Sequence, residues 1–318
     1  MIAYLIFSYE YCYNVLNVRE LIILKDKINE YLVFCKEQKM LSDNSLKAYR
    51  IDLYQFSDYI GPRKLCKKLL LDYISYLHTR YKVRTVKRKI TCIKTFLKYM
   101  KINLFADIEL KYDVPKELPK TIPLNIIKRM LKSCVKNVRE LEYKSYHWKI
   151  ALRDLVVLEL LFSTGARVSE ICNINCIDID LLNCTIKVNG KGNKERYLYI
   201  TDKNVRDTLK QYIKVFSVSA GKLLLNRFGK PLSTHAVRDI VNKYTKEIGY
   251  NKHITPHMFR HTFATSLLEK DVDIRYIQNF LGHQSISTTQ IYTYVTNSKS
   301  KKILERKHPI SQMLDDVT

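Results

Sequence analysis

Three regularly spaced prolines divide this 318-residue chain into two parts, and no other feature of the sequence limits its architecture more. Pro115, Pro119 and Pro123 lie in a charged stretch without apolar periodicity. Prolines in such a stretch favour an extended, semi-stiff linker. A chain of this length also suits about two domains of roughly 100–200 residues each. The sequence therefore predicts an N-terminal extension at 1–19, a helical domain at 20–112, a linker at 113–123 and a second domain at 124–318.

The first domain has the apolar periodicity of helices. Leu24, Ile28 and Leu32 share one helical face, and three similar patterns follow before residue 112. Ser42 can cap the second of these helices, and Gly61, which precedes a proline, can end it. We therefore predict a unit of four helices.

The second domain combines helices with one β-hairpin. Ile186, Val188, Leu198 and Ile200 alternate with polar residues on either side of Gly190-Lys191-Gly192-Asn193. Alternation that flanks a glycine-rich turn is typical of a hairpin. Much of the remaining sequence of this domain has helical periodicity. The expected fold is mainly α with a small β-hairpin or sheet, and the second domain belongs to the α+β class.

The charge balance indicates a polyanionic partner. Lys and Arg number 55 against 31 Asp and Glu, which gives a net charge of +24. Such an excess is typical of proteins that bind nucleic acid or an anionic membrane surface, although a solvated basic surface without a partner is the alternative. Four basic residues near the start of the fourth helix are suitably placed to meet phosphates, with a solubilising rim as the alternative: Lys82, Arg84, Lys87 and Arg88.

Cysteine usage and hydropathy constrain the cellular location. None of the eight cysteines forms a Cys-x-x-Cys pair, so zinc and disulfide frameworks are poorly supported. Free thiols fit a reducing cytoplasm. No uncharged apolar run reaches ~18 residues, so we expect no membrane span. Residues 1–18 lack the basic start and the cleavage site of a signal peptide. These features predict a cytoplasmic protein.

Two arginine motifs suit an anionic ligand. Arg167 follows a Thr-Gly turn at a predicted helix start, and Glu170, one turn later, can orient it. His257 and Arg260 lie three residues apart and therefore on one helical face. Each motif alone also fits an ordinary surface ion pair or a chance pairing.

The stretch Leu281–Tyr292 adds a candidate nucleophile. His283 and Tyr292 would lie on opposite faces of one continuous helix, because nine steps at ~100° separate them. They can meet in one site only if the chain breaks, and Gly282 can break it. Tyr292 is then a nucleophile with His283 beside its target. The alternative is one packing tyrosine among 23.

These motifs together supply one chemical set: Arg167, Lys191, His257, Arg260, His283 and Tyr292. Lys191 stands between two glycines that permit close approach to a ligand, with an exposed turn lysine as the alternative. The set holds no carboxylate pair, no metal-binding triad and no Gly-Lys-Ser/Thr phosphate loop. Its cations suit the charge that develops on a phosphate under attack, and a tyrosine can provide the nucleophile.

Four stretches resemble the tyrosine recombinases of the phage integrase class, most closely the bacterial Xer-type enzymes and the small recombinases of mobile elements. The stretches are Thr164-Gly165-Ala166-Arg167-Val168-Ser169-Glu170, Gly190-Lys191-Gly192-Asn193-Lys194-Glu195-Arg196, His257-Met258-Phe259-Arg260-His261-Thr262-Phe263-Ala264-Thr265 and Leu281–Tyr292. They follow one another in the family's order, and the resemblance extends from about Leu24 to Pro309.

The resemblance implies a role for each residue of the set. Tyr292 attacks the scissile phosphate and leaves a 3′-phosphotyrosyl bond and a free 5′-hydroxyl. Lys191 acts as general acid toward the leaving oxygen, and His257 accepts the tyrosine proton or helps stabilise the phosphate. The remaining roles are a phosphate clamp for Arg167 and Arg260, a hydrogen bond to the phosphate for His283, and support for Glu170. Lys194 and Arg196, beside the hairpin turn, are predicted to contact DNA.

The resemblance also implies partners and an assembly. The substrate is double-stranded DNA with a specific core site, bound by a homotetramer with or without a related recombinase. The two domains form a C-shaped clamp, a C-terminal helix docks into the neighbouring protomer, and strands exchange through a Holliday junction. The phosphotyrosyl bond keeps the energy of the phosphodiester, so no metal, ATP or other cofactor is expected.

Two departures and two alternatives accompany this interpretation. The segment Val138–Trp148 is longer than in compact Xer proteins and has no assigned structure. The extension at 1–19 is too short for the arm-binding domain of large phage integrases, which favours a resolvase, an inversion enzyme or a transposon integrase. The alternatives are a type IB topoisomerase-like enzyme and a non-catalytic DNA-binding protein on the same fold.

Overall fold

The computed structural model describes residues 18–106, 108–110, 112, 118–190, 195–216 and 221–283, except for the side chains of 18–23. Contacts within the chain divide it into two units, Met1–Lys116 and Glu117–Thr318. Lys191, Lys194, Tyr292, the predicted C-terminal helix and the extension up to residue 17 lie outside the described residues.

The described part of the first unit is built from helices, namely α1 (Val18–Glu37), α2 (Asp43–Ile60), α3 (Lys67–Arg80) and α4 (Val83–Tyr99). Ser42 caps α2 by accepting a hydrogen bond from the N–H of Ser45, and Gly61 ends it with a φ of +56°. The apolar faces meet in one core that includes Ile28, Leu53, Phe56, Tyr73 and Phe96. The four predicted helices are confirmed.

The second unit contains helices and one small sheet. In chain order its elements are α5 (Leu124–Glu140), α6 (Tyr146–Thr164), α7 (Val168–Cys172), a 3-10 turn (Cys176–Asp178), β1 (Ile179–Asp180), β2 (Thr185–Asn189), β3 (Glu195–Tyr199), α8 (Lys203–Phe216), α9 (Thr234–Glu247), α10 (Pro256–Glu269) and α11 (Ile274–Leu281). Within the described residues, no helix combines the length and the apolarity that a bilayer span requires. The predicted class, mainly α with a small sheet, is confirmed.

The helix α6 lies at the centre of this unit. It is apolar around most of its circumference, and such a helix is stable only when it is covered on several sides. It packs against α5, α8 and α10, and Leu152, Leu158 and Leu161 are buried there. Gly165 ends α6 in the left-handed conformation, with a φ of +59°. The chain therefore enters the candidate site from a firmly held helix end.

The sheet confirms the predicted hairpin and adds one strand. Strands β2 and β3 pair antiparallel, with Ile186 opposite Leu198 and Val188 opposite Arg196. The inward side chains Ile186, Val188 and Leu198 are buried. Strand β1 pairs with the other side of β2. It escaped prediction because two residues are too few to show an alternating pattern.

The segment Val138–Trp148, which the sequence left unassigned, is mostly helical. Helix α5 continues to Glu140, and α6 begins at Tyr146 after a short turn. Ser145 accepts a hydrogen bond from the N–H of Trp148 and so caps α6. The ring of Tyr143 packs edge-on against Trp148, with ring centroids 4.8 Å apart. The segment thus holds the end of one helix, a turn and the start of the next.

Candidate active site

The turn that follows α6 places Arg167 beside α10. A Cβ at Gly165 would lie 2.4 Å from Cδ1 of Phe263. Only glycine therefore fits this turn at its present distance from α10. Two residues later, Arg167 stands at the start of α7, and its own N–H donates to Oε2 of Glu170 at 2.7 Å. Glycine at position 165 thus permits the contact that brings Arg167 to the site.

Glu170 holds two arginines. Its Oε1 accepts a hydrogen bond from NH1 of Arg167 at 2.7 Å, and its Oε2 accepts one from NH2 of Arg196 at 2.8 Å. Burial of the Glu170 carboxyl opposes ionisation, but Arg196 and Arg167 outweigh that effect and hold its pKa below the ordinary value. The ionised carboxylate therefore holds the guanidinium of Arg167 against the start of α7.

Arg260 connects the two ends of the site through backbone carbonyls. It is buried on α10. Its NH1 donates to the carbonyl of Gly165 at 2.9 Å, and its NH2 donates to the carbonyl of Leu281 at 2.6 Å. The first carbonyl precedes Arg167 by two residues, and the second precedes His283 by two. One guanidinium therefore fixes the two turns that carry these residues.

The predicted break at Gly282 is present. This residue ends α11 in the left-handed conformation, with a φ of +63°. The N–H of His283 then donates to the carbonyl of Gln278 at 3.1 Å, and Nε2 of Gln278 donates to the carbonyl of His283 at 3.1 Å. NH2 of Arg167 reaches the Gly282 carbonyl at 3.4 Å. Arg167, Arg260 and His283 thus meet around one turn.

Burial and nearby arginines keep the imidazoles of the site neutral. Burial, followed by the charges of Arg260, Arg238 and Arg167, lowers the pKa of His257. Burial, followed by several charges of which Arg260 and Arg167 are the largest, lowers the pKa of His283 to about 4. A neutral imidazole can accept a proton at one nitrogen and donate a hydrogen bond from the other. Both activities suit chemistry at a phosphate.

The structure adds His261 to the residues of this region. Its pKa is lowered to about 4, first by burial and then by His257 and Arg260. The signal was present in the sequence, because His257 and His261 are four residues apart and therefore lie on one helical face. His261 was not among the predicted site residues.

The residues predicted to contact DNA lie in different environments. Lys82, Arg84 and Lys87 are exposed around the start of α4. Arg88 forms a forked ion pair with the carboxylate of Asp52 and keeps its side chain partly exposed. Arg196 turns inward to Glu170, and only 11% of its side chain is exposed. The exposed residues present basic charge to solvent, whereas Arg196 is committed to contacts within the unit.

Part of the predicted set lies outside the described residues. Lys191, Lys194 and Tyr292 belong to this group, so their distances to the site are not defined. In the described ranges, no three His, Cys, Asp or Glu side chains form a cluster that could hold a metal ion. Metal independence remains a prediction from the resemblance.

Comparison with known proteins identifies the family. The phage integrase family matches residues 127–299, and the N-terminal SAM-like domain of phage integrases matches residues 28–102. A tyrosine recombinase of Agathobacter rectalis is 46% identical over 298 residues, which cover 90% of this chain and 97% of that protein. The tyrosine recombinase XerC of Leptospira interrogans is 34% identical and covers 90% of this chain and 94% of its own length.

Solved structures show the same fold. The XerH recombinase bound to its palindromic difH substrate matches with a TM-score of 0.68 at 19% identity, over 92% of this chain and 90% of that chain. A lambda integrase tetramer bound to a Holliday junction matches with a TM-score of 0.66 at 14% identity, over 90% of this chain and 80% of that chain. The chain therefore belongs to the phage integrase family, and it is a site-specific DNA recombinase of the tyrosine type.

Proposed function

We propose that this recombinase cuts DNA by attack of Tyr292 on a phosphodiester, through a 3′-phosphotyrosyl bond. The observation that carries the proposal is the convergence of Arg167, Arg260 and His283 on the turn at the end of α11. Two guanidinium groups beside neutral imidazoles suit the negative charge of a phosphodiester and the further charge that develops in its transition state. In the sequence, Tyr292 follows that turn by ten residues.

The described residues support a division of labour. Arg167 and Arg260 stabilise the negative charge of the phosphate in the transition state. His257, neutral at pH 7, accepts the proton of the tyrosine hydroxyl or helps stabilise the phosphate, and His283 donates a hydrogen bond to it. Glu170 keeps Arg167 in place. Lys191 protonates the leaving 5′-oxygen, in keeping with its place in the family's motif.

The DNA-bound relatives suggest the assembly. XerH was solved on a difH site and lambda integrase as a tetramer on a Holliday junction. By analogy, we propose that four copies of this chain act on two core sites in the cytoplasm and exchange strands through a junction. The role in chromosome resolution, inversion or transposition depends on the DNA site. The two-domain clamp and the docking of the C-terminal helix belong to the same proposal.

Covalent capture tests this function directly. A random-sequence duplex library is incubated with the full chain, complexes that survive detergent are recovered, and the enriched DNA defines the core site. We expect an adduct with the unmodified protein and none with Tyr292→Phe. Tyr276→Phe is the matched control, because Tyr276 is an exposed tyrosine on α11 and should leave the adduct unchanged. An adduct that survives Tyr292→Phe would overturn the assignment of the nucleophile.

The comparisons do not favour a topoisomerase-like enzyme, and a second assay separates the two activities. A supercoiled plasmid and a linear fragment, both with the selected core site, are mixed with the protein. Strand exchange between them is the expected product. Relaxation of supercoiled DNA without any exchange between sites would instead support a topoisomerase.

A further inference from the structure

Both terminal nitrogens of Arg196 donate hydrogen bonds inside the second unit. On β3, its NH2 donates to Oε2 of Glu170 at 2.8 Å, and its NH1 donates to the carbonyl of Phe280 at 2.5 Å. The Nε atom is buried and has no hydrogen-bond partner among the described residues. A side chain committed in this way does not swing out to a DNA phosphate. The contacts of Arg196 therefore call for a role inside the site.

Both acceptors belong to groups that hold proposed catalytic residues. The Glu170 carboxylate that Arg196 binds also receives the backbone N–H and the guanidinium of Arg167. The Phe280 carbonyl lies in the last turn of α11, immediately before the Gly282 break and His283. Because a guanidinium is a rigid planar fork, a bridge through it fixes the relative position of both acceptors.

Gly282 accommodates this bridge. A Cβ at position 282 would lie 2.6 Å from Cδ and 2.9 Å from Nε of Arg196. The arginine stem thus passes directly against the backbone where α11 ends. Glycine at this position serves two purposes, because it permits both the left-handed turn and the close approach of Arg196.

We propose that Arg196 is a positioning residue, which fixes Arg167 and His283 relative to each other through Glu170 and the end of α11. The inference rests on the proposed function. Loss of the bridge leaves Glu170 with Arg167 alone and removes the hydrogen bond from β3 to the last turn of α11. A displacement of about 1 Å in a catalytic group can reduce a rate by roughly 100-fold. Binding of DNA would be spared, since Arg196 makes no DNA contact in this account.

The test compares Arg196→Ala and Arg196→Lys with a matched control, Arg206→Gln. Arg206 also donates to two backbone carbonyls, those of Ile200 and Thr201, but it contacts neither Glu170 nor α11. The rate of covalent adduct formation is measured on the selected core site, and affinity is measured separately with Tyr292→Phe added to each variant. We expect about a 100-fold lower rate for both Arg196 variants with unchanged affinity, and no change for Arg206→Gln.

Chemical rescue distinguishes positioning from a loss of folding. Methylguanidinium should restore a measurable part of the rate in Arg196→Ala and leave Arg206→Gln unaffected. A full rate in Arg196→Lys would show that charge alone suffices and would overturn the proposal. So would a parallel fall in rate and affinity, which would mark Arg196 as a DNA contact, or a loss that methylguanidinium does not reverse.

Failure of this proposal differs from failure of the proposed function. If the unmodified protein forms no adduct with any selected DNA, the recombination chemistry itself is wrong. If the unmodified protein forms the adduct and both Arg196 variants match its rate, only the positioning role is wrong.

Discussion

Asp52 in the first unit and Glu170 in the second are buried carboxylates that each hold two cations, but they do so for different ends. In the first unit, Asp52 is completely buried and binds Lys89 at 2.8 Å and Arg88 through a forked contact. In the second unit, Glu170 binds Arg167 and Arg196. Both clusters satisfy the rule that buried charge is paired. Charge pairing alone therefore does not mark a functional site.

The two clusters differ in the groups that their cations contact besides the carboxylate. Lys89 also donates to Oε1 of Gln55 at 2.6 Å, so the Asp52 cluster joins α2 to α4. Arg167 and Arg196 continue to the carbonyls of Gly282 and Phe280, beside His283. The cations around Glu170 thus reach the turn that carries His283, whereas those around Asp52 join helices of the first unit to one another.

Asp52→Asn should have the largest effect on stability. The substitution leaves the buried ammonium of Lys89 without its counter-charge, and removal of one partner from a buried pair costs about 3–5 kcal/mol. Chemical denaturation followed by a probe in the first unit measures the free energy of unfolding. Adduct formation per folded molecule, measured at low temperature, should stay unchanged. A loss of that rate at normal stability would show that the Asp52 cluster also serves catalysis.

Glu170→Gln should have the opposite effect, with a large loss of rate and a smaller loss of stability. The amide keeps the shape of the carboxylate but loses its charge, so Arg167 and Arg196 are held less firmly and Arg167 can turn to solvent. We expect about a 100-fold slower adduct formation, the scale of a misplaced catalytic group. Denaturation followed in the second unit should change less than Asp52→Asn changes the first. An unaltered rate would remove the functional distinction between the two clusters.

The smallest expected difference between the two units is the pH dependence of their stability. The pKa values of His261 and His283 are about 4 in the folded chain against an ordinary value of 6.5. The unfolded chain then binds more protons between these values, so the stability of the second unit should fall as the pH drops from about 6.5 to 4. Hydrogen exchange of the α10 and α11 amides at pH 7 and pH 5 measures this change.

A matched variant makes the pH experiment specific. His261→Gln removes one of the histidines whose pKa is lowered, so it should weaken the pH dependence of α10. The described contacts of the Asp52 cluster include no histidine, and α2 and α4 should respond less over the same range. Equal protection of α10 at both pH values would contradict the lowered pKa values.

Local pattern was sufficient for much of the fold and part of the site. Apolar periodicity predicted the four helices of the first unit, and alternation predicted the pairing of β2 with β3. Gly282 was identified as a break because glycine tolerates the conformation that ends a helix. Glu170 was assigned to Arg167 because three residues separate them. Each of these inferences depends on neighbours in the sequence.

The features of the site that the sequence did not predict depend on contacts between residues that are far apart in the chain. Arg196 was predicted to face DNA from its place beside a basic hairpin turn, but its acceptors are Glu170 and Phe280, 26 and 84 residues away. Arg88 meets Asp52 across 36 residues. No periodicity reports such contacts, since they arise only when helices and strands pack. The distinction between an exposed and a committed arginine therefore required the structure.

The identity of the amino acid bound to DNA tests the central claim most directly. The detergent-resistant adduct is digested with nuclease and protease, and the peptide that carries a nucleotide is sequenced by mass spectrometry. We predict a phosphodiester between Tyr292 and the 3′-phosphate of the cleaved strand, with a free 5′-hydroxyl on the other end. Attachment at any other residue, or cleavage that leaves a 5′-phosphate, would contradict the account.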